Sequence, residues 1–262
     1  LLSETSCLRD NIWKEHLEIV NRNIKAGQTS CYVFEIGNVF YKNTELIQEE
    51  ILNGVIFGDR KFGKWVNSGK DYDLNYYQAR GKLKEALSCL NIKIDDKPSN
   101  SIDFLHPGRT AKLFIEGKDV GYFGEIHPKL IFEKKALKKV YLFRINLETL
   151  LGASTRKNKW IPIYKQYPIV PKMERDINFI FSKKYLISEI TSEIRKTGKN
   201  LLEDINLIDV FEDINIGEDF VSYTFRLSYR DKDKTLLDSD ISGIHSNIVS
   251  KVEKSFNTKL RN

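Results

Sequence analysis

The segment Glu174–Phe181, ERDINFIF, alternates polar and apolar residues and reads as a half-buried β-strand. Downstream, Leu186–Gly198 spaces Ile187, Ile190 and Ile194 three and four apart, the stripe of an amphipathic helix, with Gly198 placed to end it. Leu202–Asp213 and Phe220–Asp231 are two further strand-like runs, joined by a turn-rich connection holding Asn215, Gly217, Glu218 and Asp219. A long helix follows, with Ile241, Ile244, Ile248, Val252 and Phe256 on one stripe and Asp238 or Ser239 as its N-cap. Thr258–Arg261 is expected to add a short edge strand. The order strand, helix, strand, strand, helix, strand is the split βαβ, ferredoxin-like arrangement, with helices on one face of the sheet and the other face open.

Alternation also says which residues share that open face. In Phe220–Arg230, Tyr223, Phe225, Leu227 and Tyr229 fall on one side and Ser222, Thr224, Arg226, Ser228 and Arg230 on the other. Turning the apolar sides of both strands toward the helices leaves Asp176, Asn178, Ser222, Thr224, Arg226 and Arg230 exposed together, with Phe211 at the rim on a side the pattern does not decide. Arginines, small polar groups and an aromatic on an open sheet suit single-stranded RNA bases; the plain alternative is a solvated sheet face.

Before this region, Asp10–Lys25 reads as a helix and Cys31–Tyr41 and Ile51–Gly58 as strands, with Gly37 marking a bulge or a close approach. Tyr72–Leu90 is a helix and Ile92–Ile94 a short strand. Ala111–Ile115 and Val120–Ile126 are strands joined by Glu-Gly-Lys-Asp, a tight-hairpin signal. Pro128–Lys135 is a short helix and Lys139–Leu147 a strand. Antiparallel strands with inserted helices define an α+β module over residues 1–151. Gly152–Lys159 is polar and aperiodic, so 152–166 is the expected linker and 167–262 the closing domain.

The 262 residues carry a net charge of +6, but its distribution matters more than its size. From Tyr167 onward there are 15 basic and 16 acidic residues, and the preceding part holds 27 against 20. The excess sits around Lys134, Lys135, Lys138, Lys139, Arg156, Lys157 and Lys159, so bulk charge does not make the closing domain a polyanion binder. Hydrophobic residues at 41%, with 15 Phe and 12 Tyr, argue against disorder. No apolar run approaches the roughly 20 residues of a membrane span, and no signal peptide is seen. Cys7, Cys31 and Cys89 are scattered, which fits a reducing compartment better than disulfides or zinc. The opening Leu-Leu-Ser suggests a fragment.

Catalytic and metal motifs are missing. His16, His106, His127 and His245 sit apart, and neither phosphate-cradling loop is present. Asp103, His106 and Arg109 are the one local cluster that resembles a site. The competing reading is a structural turn reversed at Gly108, with Arg109 paired to Asp103.

The runs Tyr167-Pro168, Glu174-Arg175-Asp176-Ile177, Leu207-Ile208-Asp209-Val210-Phe211, Phe225-Arg226-Leu227 and Asp233-Lys234-Thr235-Leu236 resemble the anticodon-binding domain that ends the beta subunit of bacterial-type phenylalanine–tRNA ligases. Leu1–Arg9, Phe34–Phe40, His106-Pro107-Gly108-Arg109 and Gly121–Pro128 are similar to the same family's class II synthetase-like module. Nearly the whole chain is covered. The chain departs in carrying Ile169–Glu174 between Pro168 and Arg175, where the family usually has a shorter gap, and Phe211 stands where many members have Tyr.

The resemblance implies a synthetase fold without an active site, docked to a catalytic alpha subunit in an (αβ)2 assembly. It implies tRNA(Phe) as the nucleic-acid partner, with neither DNA nor membrane. Arg175, Asp176, Asn178, Phe211, Arg226 and Arg230 become the candidate tRNA-binding residues. The family's ATP chemistry belongs to the alpha subunit, and its magnesium-binding and editing residues lie upstream of Leu1, so no cofactor is expected here. The expected compartment is the cytoplasm, with a plastid stroma as alternative. Two rivals stand beside this reading: a ferredoxin-like domain sensing a small molecule, and an enzyme built on Asp103, His106 and Arg109.

Overall fold

The computed structural model describes residues 7–42, 44–58, 74–131, 139–157, 161, 164, 166–213 and 216–261. The chain divides into two units, Leu1–Ile163 and Tyr164–Asn262. In the first, β1 (Ser30–Lys42), β2 (Leu46–Gly58), β3 (Ile94–Pro98), β4 (Leu105–Ile115), β5 (Lys118–Ile126) and β6 (Val140–Asn146) form one antiparallel sheet in the order β1-β2-β6-β5-β4-β3. Helix α1 (Trp13–Lys25) covers one face, where Val20 packs with Val55, Phe57, Val140 and Leu142. Helix α2 (Tyr76–Ala86) and helix α4 (Leu147–Ser154) lie on the other, where Leu83 and Leu150 pack with Phe123, Tyr141, Phe143 and Ile145. A short helix α3 (Pro128–Ile131) follows β5.

Local chemistry explains several of these boundaries. Asn75 caps α2 by accepting from the Gln78 N–H at 2.9 Å, while the Gln78 side chain accepts from the Asn75 N–H at 2.9 Å. The β4–β5 hairpin turns through two residues of positive φ, Glu116 (50°) and Gly117 (82°), the primed geometry that follows strand twist. Gly37 marks a close approach and no bulge: the Arg9 guanidinium lies over it, 2.2 Å from where a Cβ would stand, and pairs with Glu35 at 2.7 Å.

Three sequence expectations for this unit change. Residues 106–109 are not a reversing turn but part of β4, which bulges between Leu105 and Thr110, and Arg109 pairs with Glu125 at 3.1 Å and not with Asp103. The expected linker begins in helix, because α4 runs to Ser154 and buries Ala153 and Ser154. The strand near Ile92 begins at Ile94 and extends to Pro98. The end of the helix expected from Pro128 lies outside the described residues.

In the second unit, β7 (Met173–Ser182), β8 (Leu202–Phe211) and β9 (Phe220–Tyr229) form an antiparallel sheet in the order β7-β9-β8. Helices α5 (Ile187–Gly198) and α6 (Asp238–Phe256) cover one face. Its core is Ile177, Phe179, Phe181, Phe225, Leu227 and Tyr229 from the sheet with Ile190, Ile194, Ile241, Ile248 and Val252 from the helices. Each buried side chain of this size contributes about 1.5–3 kcal/mol by leaving water. The six residues Ile169–Glu174 are partly absorbed by β7, which begins at Met173, opposite Tyr229.

The expected fourth strand is reduced to one bridge, Phe179 to Leu260. The tail is nevertheless fastened to β7. The Arg261 N–H donates to the Asn178 carbonyl at 2.8 Å, and the Thr258 hydroxyl donates to the Ile180 carbonyl. Helix α5 ends at Gly198 as expected, with the positive φ on the next residue, Lys199 (51°), and Leu202 packed 2.4 Å from where a Gly198 Cβ would be. One helix start differs from expectation. Leu237, not Asp238 or Ser239, precedes α6, and Asp240 accepts its N–H at 3.0 Å.

Tyr229 and His245 join β9 to α6. The Tyr229 hydroxyl lies 3.1 Å from His245 Nδ1, burial pushes the tyrosine up to about 12, and burial followed by the nearby Arg175 pushes the histidine below its usual value. A histidine held neutral in the fold takes up its proton more readily when unfolded, so its contribution is present above about pH 6.5 and is lost as pH falls below that. Unfolding monitored on this unit from pH 7.5 to 5 should show falling stability, and His245→Phe should flatten that slope. An unchanged slope in the variant would remove His245 as its source.

Candidate nucleic-acid interface

The face of β7-β9-β8 away from α5 and α6 is set by cross-strand register. Asp176 faces Arg226, Asn178 faces Thr224, and on the other side of β9, Asn206 faces Arg226 and Asp209 faces Thr224. Directly opposed residues point to the same side of a sheet, so these groups form one surface. Ser222, opposite Phe211, is on the same side but is 1% exposed and not exposed as alternation suggested, because Asn178 and Arg261 close over its hydroxyl.

Phe211 reaches this face because β8 carries an irregularity. Ile205 and Leu207 oppose the core residues Leu227 and Phe225, so an unbroken strand would turn Phe211 toward the helices as well. The register shifts between Leu207 and Asp209, leaving Ile208 as the extra residue of a bulge, and every later side chain changes sides. Phe211 therefore opposes Ser222 and is 43% exposed. Its side, open in the sequence pattern, is the RNA-compatible one.

Beside it stands Arg261, which the sequence pattern did not single out. Its guanidinium lies 5.6 Å from the Phe211 ring centre, a cation–π distance, and its Nη1 is 3.4 Å from the Ser222 hydroxyl. The Ser222 hydroxyl donates to Asn178 Oδ1 at 2.7 Å. Phe211, Ser222, Asn178 and Arg261 thus form a corner that offers an aromatic plane, a planar cation and an amide. The available signal was the charged end of the Thr-Lys-Leu-Arg tail, whose alternation is too short to fix a side.

The other candidates are placed differently. Arg226 makes a two-point contact with Asp176, Nε to Oδ1 at 2.9 Å and Nη2 to Oδ2 at 2.8 Å. That bond holds the Asp176 carboxyl below its usual range and raises the arginine. Glu174 is lowered chiefly by its hydrogen bond from Lys172, with Arg226 adding to it. Arg230 lies just past β9, pairs with Glu203 at 3.1 Å and has only 20% of its side chain exposed. Arg175 is not brought to this face: it opposes Leu227, on the helix side, and pairs with Asp238. Glu174, Asp176, Asp204 and Asp209 outnumber Arg226 and Arg261, so the surface suits base edges and ring faces better than a run of phosphates.

No group of three His, Cys, Asp or Glu side chains among the described residues is arranged to hold a metal, and no helix there is long and apolar enough to cross a membrane. The described cysteines are free.

Residues 168–261 match the family model of the ferredoxin-fold anticodon binding domain, which defines the class of domain to which this sheet and its open face belong. Residues 1–147 match the model of the phenylalanyl tRNA synthetase beta chain CLM domain. The chain belongs to the phenylalanyl-tRNA synthetase beta chain family. It is 81% identical over 262 residues to the phenylalanine–tRNA ligase beta subunit of Prochlorococcus marinus strain MIT 9312, and 45% identical over 262 residues to that of strain NATL2A. Both matches cover 100% of this chain and 32% of the relative, so the chain spans about a third of their length.

Proposed function

We propose that this chain is the tRNA-holding and subunit-docking part of a phenylalanine–tRNA ligase beta chain, supporting ATP-dependent attachment of phenylalanine to tRNA(Phe) by a separate alpha subunit in an (αβ)2 assembly. The observation that carries the tRNA reading is the corner of Phe211 and Arg261 on the open face of a domain matched as anticodon-binding. A single-stranded base stacks on Phe211, with Arg261 beside it. Asn178 and the Asp176–Arg226 pair supply acceptors and donors to base edges. Arg230 meets phosphate only by leaving Glu203, and Arg175, on the opposite side of β7, is left out of this contact. The ATP and Mg2+ chemistry we assign to other parts of the enzyme. The free cysteines fit a reducing compartment, which we take to be the cytoplasm.

Filter binding of tRNA(Phe) to the Phe211→Ala and Arg226→Ala chains tests this. Losing one stacking contact should cost about 1–3 kcal/mol, roughly 5- to 150-fold in affinity. Unchanged affinity in both variants would overturn the assignment of this face.

A further inference from the structure

We propose that Arg261 is a latch on the open face of β7-β9-β8. In the free protein its guanidinium covers the Phe211 ring; in the bound one it yields that ring to a base and takes a phosphate of the same strand instead. This rests on the tRNA reading above and says how that site changes when it is filled.

One side chain crosses the whole sheet. The Arg261 backbone lies against the outer edge of β7, where its N–H donates to the Asn178 carbonyl at 2.8 Å. Its guanidinium reaches Ser222 of β9, 3.4 Å from the hydroxyl, and Phe211 of β8, 5.6 Å from the ring centre. Ile180, Ser222 and Phe211 are cross-strand neighbours, so the side chain follows one row from edge to edge. Ser222 beneath it is buried, while Arg261 itself is exposed.

The two ends of this residue are held very differently. Besides the bond to Asn178, the backbone is fixed through the Leu260 N–H, which donates to Glu253 Oε1 at 3.1 Å, and through the Thr258 hydroxyl on the Ile180 carbonyl. The guanidinium has the ring and one long contact. Arg175, Arg226 and Arg230 are each paired with a carboxylate, whereas Arg261 has no such partner among the described residues. Turning it away therefore breaks no ion pair and frees its donors for an anion. An exposed cation–π contact is worth roughly 2- to 5-fold in an equilibrium constant, and a stacked base roughly 5- to 150-fold. The base wins the ring. Elsewhere on the face Glu174, Asp176, Asp204 and Asp209 disfavour a phosphate, which leaves the Arg261 corner as the place for one.

Two measurements test this. In filter binding of tRNA(Phe) across a salt series, Arg261→Ala should bind roughly 5-fold more weakly, and its slope of log affinity against log salt should be shallower by about 0.7, the share of one phosphate on a single strand. Arg261→Lys, which keeps the charge, should restore the slope. A wild-type chain that binds no tRNA would sink the tRNA reading and the latch with it; a wild-type slope in Arg261→Ala overturns the latch alone. The second measurement needs no substitution of Arg261. In the free chain the NMR signal of its Nε–H should be displaced by the Phe211 ring, an effect that Phe211→Leu removes, and adding a short RNA hairpin that carries the anticodon should abolish it. A ring effect that persists at saturating RNA, or that is missing from the free chain, overturns the proposal.

Discussion

Gly121→Ala is expected to destabilise the first unit by more than about 4 kcal/mol, the range reserved for substitutions with a specific steric cause. Gly121 has φ +147°, which L side chains rarely adopt, and its Cβ would stand 1.9 Å from the Arg144 carbonyl oxygen. The obstacle is backbone in β6, which is paired on both sides by β2 and β5 and has no flexible end to withdraw. Relief therefore requires breaking the β5–β6 ladder where Gly121 meets Ile145. Urea denaturation followed by circular dichroism would measure the loss. Gly152→Ala is the matched control, since a Cβ in helix α4 meets nothing within 4 Å and alanine favours helix by roughly 0.5–1 kcal/mol. Equal stability of Gly121→Ala and wild type would contradict the packing of β5 against β6.

The second large effect is expected in the closing unit. Phe181 is fully buried, with ring centres 5.7 Å from Phe179 and 5.8 Å from both Tyr223 and Phe256. Phe181→Ala should cost about 3–5 kcal/mol, the lost transfer energy plus the cavity left behind. Its position couples stability to the open face. Phe256 ends α6, and the chain then passes through Thr258, bonded to the Ile180 carbonyl, to reach Arg261 beside Phe211. Hydrogen exchange should speed up at the tail as well as in the core, and tRNA affinity should fall although Phe181 touches no part of that face. Exchange confined to the core, with the tail unchanged, would show that Phe256 does not hold the tail in place.

Both sheets were legible in sequence where a strand keeps strict alternation and pairs without interruption. ERDINFIF and VSYTFRLSY are such strands, and their register puts Asp176 opposite Arg226 on the face that alternation predicts. Alternation fails at bulges. Nothing in Leu207-Ile208-Asp209 marks the extra residue, which is apolar and not a glycine, so the side of Phe211 waited for the register. His106-Pro107-Gly108-Arg109 has the composition of a turn, yet a bulged strand tolerates the same residues, and Arg109 finds its carboxylate sixteen positions away, at Glu125. Partners at such separations leave no local signal. Arg261 was missed for a related reason: its neighbours Phe211 and Ser222 come from other strands, and the tail is too short to show a period.

The bulge at Ile208 also separates the two halves of β8 in their tolerance of change. Just upstream of it, Ile205 and Leu207 oppose the core residues Leu227 and Phe225, Leu207 remaining 37% exposed; downstream, the even-numbered Val210 opposes Tyr223, while Asp209 and Phe211 take the solvent side. Losing this one residue would restore a regular ladder and turn the aromatic inward, whereas losing two neighbouring residues upstream would keep each half on its own side. The parity of this single strand thus decides which side chains of its last part reach the open face and which turn toward the helices.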